Sequence, residues 1–213
     1  MQGLIGKKIG MTRVFDAQGQ QIPVTVVQVG PCVVVQRKTR ATDGYEAVQL
    51  GFEEQKEQRV NKPRLGQFKK AGVKPQRILQ EVVVDEGDEI KVGDIVKASI
   101  FEGVTHVDVI GVTKGRGFQG VIKRHRMAGG PAAHGSGFHR RGGSIGCREW
   151  PARIFKNKRM PGHMGNSSIT TQNLKVVAVR NEDDVILVRG AVMGPTGGIV
   201  LIRKAIKKAA KAS

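Results

Sequence analysis

The chain has 213 residues, 36 Lys plus Arg against 18 Asp plus Glu, a formal net charge of +18 and a pI near 10.4. That length allows one sizeable domain with an appendage, and the charge surplus predicts a polyanionic partner, nucleic acid first, because clustered cations gain free energy by releasing counterions from a phosphate backbone. Excluded are a disulfide scaffold, since only Cys32 and Cys147 are present, and a helical membrane span, since no long apolar run occurs; with no signal-peptide core either, the protein is expected in the cytosol.

From the start to about Phe52, β-branched runs alternate with turn signals: "LIGKKIGMTRVF", "DAQG", "QIPVTVVQV", Gly30-Pro31, "CVVVQRKT", "TDG" and "YEAVQLGF". Brief strands at this spacing predict a mainly β fold, an antiparallel sandwich or barrel. Aromatics are only 4% of residues against 29 glycines, so the core must be built from Val, Ile and Leu. Residues 53–77 are polar and basic with two prolines and are expected to leave the sheet, with room for a short helix. Strand-like runs return at "ILQEVVV", "DIVKASIF" and "VTHVDVIGVT".

The character then changes. Between Lys114 and Gly165 stand twelve Lys and Arg, a single acid, Glu149, and four of the five histidines. Gly and Pro punctuate the segment throughout, and no sustained apolar period runs through it. Ordering such a segment costs on the order of 50–100 kcal/mol of backbone entropy, which its sparse apolar side chains cannot offset. It is therefore expected to be disordered when free, or ordered by a partner. Afterwards "LKVVAVRN", "EDD", "VILVRGAV", "GPTGG" and "IVLIRKA" restore the strand rhythm. The expected organisation is one β domain, residues 1–113 and 166–213, interrupted by a basic arm at 114–165. The tail "IRKAIKKAAKAS" is expected to form a weak helix.

Three local motifs suggest chemistry and fail on context. Gly115, Gly117 and Gly120 form a G-x-G-x-x-G after a strand-like run, but "VIKRHRMAGGP" predicts no helix from the third glycine. No acid stands between Lys114 and Glu149 to hold a ribose, and no kinase signature follows. "GGSIG" at 142–146 matches a nucleophile elbow, yet Ser144 lacks the preceding strand and following helix, and only Glu149 and His163 lie in triad order. His125, His134, His139 and His163 with Cys147 offer one thiol without a paired C-x-x-C, a poor zinc set. No metal and no cofactor is expected, and Cys147 is read as a bystander thiol.

What remains is RNA contact. Lys114, Arg116, Lys123, Arg124, Arg126, Arg140, Arg141, Arg153, Lys156, Lys158 and Arg159 are candidate phosphate contacts, joined by Lys7 and Lys8 in the opening run. His125, His134, His139 and His163 can stack or meet phosphates, and Phe118, with Phe138, Trp150 and Phe155, can stack on bases. The glycines let the backbone approach closely. Two other classes compete: an RNA-modifying enzyme, which needs a cofactor loop or an acid/base pair where the arm has Glu149 alone, and a membrane-surface or DNA-compacting protein driven by charge.

Five motifs in order, "GLIGKKIGMTRVF", "GVTKGRGFQGVIKRH", "GSIG", "KNKRMPGHMGN" and "VILVRGAVMGPTGG", resemble the bacterial form of ribosomal protein L three across essentially the whole chain. The resemblance implies a β-barrel of the translation-protein type with a small lobe and a long arm entering large-subunit rRNA. It implies no enzymatic activity, an early role in subunit assembly, and partners in rRNA and neighbouring ribosomal proteins. By motif, the arm tip is Cys147, Arg148, Glu149, Trp150 and Pro151, near the peptidyl transferase centre. Relatives often carry Gln and Asn there, and in some a tip Gln is methylated; here no Gln lies between Gln119 and Gln172, so that modification is not carried over.

Overall fold

Val27 and Val29, Val107 and Val109, Ile186 and Val188, and Val200 and Ile202 are buried in pairs two residues apart, the spacing that puts side chains on one face of a strand. In the computed structural model, which describes residues 1–85, 88 and 90–208, those pairs point inward. The elements in chain order are β1 (Gly3–Phe15), β2 (Gln21–Val29), β3 (Cys32–Lys38), α1 (Arg40–Asp43), β4 (Ala47–Glu54), α2 (Lys62–Ala71), β5 (Gln76–Val83), β6 (Ile95–Val96), β7 (His106–Val112), β8 (Phe118–Gln119), α3 (Val121–His125), β9 (Gly162–His163), β10 (Ser168–Arg180), β11 (Val185–Arg189) and β12 (Ile199–Lys204). Six strands close into a barrel in the order β1-β12-β7-β10-β11-β2, each antiparallel to its neighbours. Closure removes the free edges that would otherwise pair with other chains.

A four-stranded sheet, β5-β4-β3-β6, forms the small lobe. Its Val34, Leu50 and Phe52 belong to the same buried cluster as Leu4, Ile5 and Ile202 of the barrel, so the sheet and barrel share one core. Cys32 lies within it, its Sγ 3.4 Å from the Ile5 carbonyl, and burial pushes the thiol up to about 12. That thiol is inert at neutral pH. The excursion at 53–77 folds into α2, which Pro63 starts and Gly72 (φ 67) stops. Phe68 is its one buried side chain, leaving a basic outer surface.

The expected strand "DIVKASIF" is corrected. Only Ile95 and Val96 pair, and Ala98–Phe101 forms a 3-10 turn. Its buried side chains are Ala98 and Phe101, three apart rather than two, which is the period of that turn. β10 also begins earlier than expected, at Ser168. A bulge between Thr171 and Leu174 interrupts its pairing with β7, and the buried Asp108 carboxylate accepts the Asn173 N–H there at 2.8 Å. Of the basic tail, Ile202–Lys204 completes β12 rather than starting a helix, and residues 209–213 lie outside the described residues.

Two ion pairs tie the lobe to pH. The Lys7 ammonium, 2.6 Å from Glu53, and then the Arg77 guanidinium hold the Glu53 carboxyl below the usual 4.5. Lys38 and then the Tyr45 hydroxyl do the same for Glu81. Carboxyls depressed in the fold stabilise it above their unfolded pKa and lose that contribution as pH falls through the folded value. The melting temperature should be level from neutrality to about pH 5 and drop below it, with Glu53→Gln removing part of the drop. A melting temperature unchanged down to about pH 3 contradicts this.

Candidate nucleic-acid interface

Residues 113–167 form a compact unit separate from the one made by 1–112 and 168–213. Its two legs run antiparallel as a ribbon. Thr113 N–H donates to Ser167 O (3.0 Å), Arg116 N–H to Met164 O (2.9 Å) and Met164 N–H to Gly117 O (3.0 Å), and Phe118 and Gln119 then pair with His163 and Gly162 in β8 and β9. The legs come close because Gly165 sits at φ 78, where a Cβ would overlap the Lys114 carbonyl oxygen; only glycine fits.

Beyond the ribbon the chain does start a helix at the third glycine, which corrects the expectation of none. α3 has five residues and stops at Arg126, whose φ is 58. It is too short for the dinucleotide motif, which also needs the absent acid. Val121, its first residue, is the arm's one buried apolar side chain. Arg124 Nη1 and His125 Nε2 both reach the Met160 carbonyl, at 2.8 and 2.9 Å, fastening α3 to the returning leg. A second local fold brings the Phe138 ring onto Gly130, where a Cβ would collide with it, and Gly130 N–H donates to His139 O at 2.7 Å.

All twelve Lys and Arg of the arm are exposed. The ion pairs among the described residues lie entirely outside it. His134, His139 and His163 are exposed and His125 is half-buried. Phe118, Phe155 and Trp150 are 76%, 63% and 86% exposed, so their ring faces are open to stacking. Cys147, Arg148 and Glu149 are also exposed, and Pro151 is half-buried. Among the described residues, no group of three or more His, Cys, Asp or Glu could hold a metal ion, and no helix is long and apolar enough to cross a membrane.

Lys7 and Lys8, the two candidates on β1, are engaged within the barrel unit. Lys7 pairs with Glu53 at 2.6 Å while its side chain stays one-third exposed. Lys8 is 8% exposed and donates to the carbonyls of Val192 (2.8 Å) and Gly194 (3.3 Å), beside the register shift between Lys8 and Gly10 that disturbs strand alternation. The Lys8 ammonium keeps its charge but is buried, with its donors turned to main-chain carbonyls.

Among the described residues, six of the nine non-glycine residues with left-handed φ lie in the arm: Arg126, His134, His139, Ala152, Asn157 and Asn166. Each such residue costs on the order of 1 kcal/mol, in a segment that buries almost nothing. A closed antiparallel barrel interrupted by a strongly cationic unit with exposed aromatics has the charge distribution of a nucleic-acid-binding protein.

Comparison with known proteins names the family. The sequence model of the family described as Ribosomal protein L3 matches residues 84–185. The chain is 54% identical over 206 residues to the large ribosomal subunit protein uL3 of Heliobacterium modesticaldum, covering 97% of this chain and 98% of that one. It is 51% identical over 208 residues to its counterpart in Brachyspira hyodysenteriae (98% and 96%), and 54% over 207 residues to that in Syntrophotalea carbinolica (97% and 99%). The chain belongs to the ribosomal protein L3 family, a family of ribosomal structural proteins and not of enzymes.

Proposed function

We propose that this chain is a constituent of the large ribosomal subunit that binds large-subunit rRNA directly and early in assembly. The barrel anchors, and the arm threads between RNA helices with Cys147–Pro151 towards the peptidyl transferase centre. The observation that carries this is the arm's charge: twelve exposed cations, none ion-paired among the described residues, in a unit with one acid and one buried apolar side chain. Phosphates supply the missing counter-charge, and contact with RNA compensates for the strained backbone. Lys114, Arg116, Lys123, Arg126, Arg140, Arg141, Arg153, Lys156, Lys158 and Arg159 meet phosphates. Arg124 and His125 do so only with the capacity left over from Met160, and His134, His139, His163 and Phe118 contact RNA along the ribbon and first turns. Neighbouring ribosomal proteins complete the surroundings, in the cytoplasm.

The tip is tested through Trp150. At 86% exposure it contributes little to the fold, so Trp150→Ala should change free-protein stability by no more than about 0.5 kcal/mol. In ribosomes it should alter peptidyl-transfer rate or sensitivity to antibiotics of that centre. Unaltered ribosomes together with an unfolding-prone free protein contradict the assignment.

A further inference from the structure

The arm contains a cavity that the charge argument leaves unexplained. It has a volume of about 280 Å³ and lies between the turn after Arg141 and the returning leg at 158–161, with Gly120 and Val121 at its base. Arg140, Arg141, Lys158 and Arg159 stand around it, no acid lines it, and Ile145, half-exposed, and Met160 add apolar wall. Its walls are held. The Met160 carbonyl is clamped by Arg124 and His125, and Gly142 lies so close to Val121 that a Cβ there would come within 3.3 Å of it.

We propose that this cavity receives one unpaired nucleotide of an RNA strand, its base on Val121, Ile145 and Met160 and its phosphates on the four cations. Three features select that occupant. A bare anion needs the cations but not the apolar wall. A base pair keeps its edges and faces inside a duplex and cannot lay one base against the wall, and the volume, just below the ~300–1,000 Å³ of small-molecule sites, suits a single base. Unpaired, splayed-out bases are the form in which proteins read RNA beyond its charge. The proposal rests on the RNA-binding role above and adds a defined position to it. Gly120 thus meets a nucleotide after all, as part of a polymer.

The test uses the full chain and a short single-stranded RNA carrying one thiouridine, alongside the same RNA annealed to its complement. Ultraviolet crosslinks are mapped by mass spectrometry in wild type and in Ile145→Trp, which fills the cavity without changing charge. The expected result is crosslinking of the single strand at 140–145 or 158–161, reduced roughly tenfold in Ile145→Trp, the scale of losing one base contact, while duplex binding is unchanged. Equal crosslinking by the duplex, or an Ile145→Trp yield equal to wild type, overturns the cavity and leaves RNA binding standing. Failure of both short RNAs to bind wild type while large-subunit rRNA still binds overturns the cavity alone; failure of large-subunit rRNA to bind overturns the RNA-binding role and the cavity with it. A matching circular-dichroism melt of Ile145→Trp excludes misfolding as the cause of a lost crosslink.

Discussion

Replacing Arg140, Arg141, Arg153, Lys156, Lys158 and Arg159 by Gln should flatten the salt dependence of RNA binding while leaving the barrel folded. With ten arm cations on phosphates, wild-type affinity for free rRNA falls roughly a thousandfold to a hundred-thousandfold between about 50 and 200 mM salt, and the loss of these six makes the substituted protein's logarithmic slope shallower by about 4 to 5. The prediction follows from the exposure of all six and from their lack of ion pairs among the described residues. An arm cation paired to a carboxylate would release fewer counterions from RNA. No loss of folded stability is expected, since none of the six is buried. An unchanged slope, measured by fluorescence titration, means the phosphates are met elsewhere.

Phe101→Ala should have the largest effect on stability. Phe101 is fully buried in the cluster shared by barrel strands and the small lobe, and truncating such a ring costs about 3–5 kcal/mol through lost burial and the cavity left behind. Because the sheet and barrel share that core, urea unfolding should remain a single transition at lower midpoint. Two separated transitions would mean that the lobe folds independently. The residue sits in the stretch where sequence periodicity misled, and its burial comes from the 3-10 turn that replaced the expected strand.

Strands β1 to β4 were legible because Gly19, Gly30-Pro31 and Gly44 punctuate runs rich in Val, Ile and Leu, so both the signal and the breaks are local. The first turns of β10 were not. "SITTQN" carries mostly polar side chains, and what makes it a strand is its ladder to β7 and the Asp108 carboxylate at its bulge, both long-range. β7 itself was read correctly from its own Val and Ile. The inward turn of Lys8 also depends on a distant partner, the carbonyls of Val192 and Gly194.

In the arm, composition pointed to the cations and exposed aromatics, since these need only be absent from a core. It could not show the ribbon, α3 or the cavity. Those depend on close approaches, Gly165 to Lys114 and Arg124 to Met160, between residues far apart in sequence. Ile145 and Met160, which line the cavity, look in sequence like incidental apolar residues in a charged run. The match of the family model to residues 84–185 covers this region and part of the barrel; the full-length relatives extend membership over the rest.

The proposed role of the arm, as distinct from the barrel, is tested most directly by removing it. β8 and β9 pair Gln119 with Gly162, so replacing residues 120–161 by an Asn-Gly turn closes the ribbon with a favoured two-residue hairpin connection. The decisive measurement is incorporation of this shortened protein into large subunits, by sedimentation and quantitative mass spectrometry, with translation by the resulting particles. The expected result is a barrel that melts as in wild type and particles that assemble slowly or translate poorly; normal assembly and normal translation would contradict the arm's role.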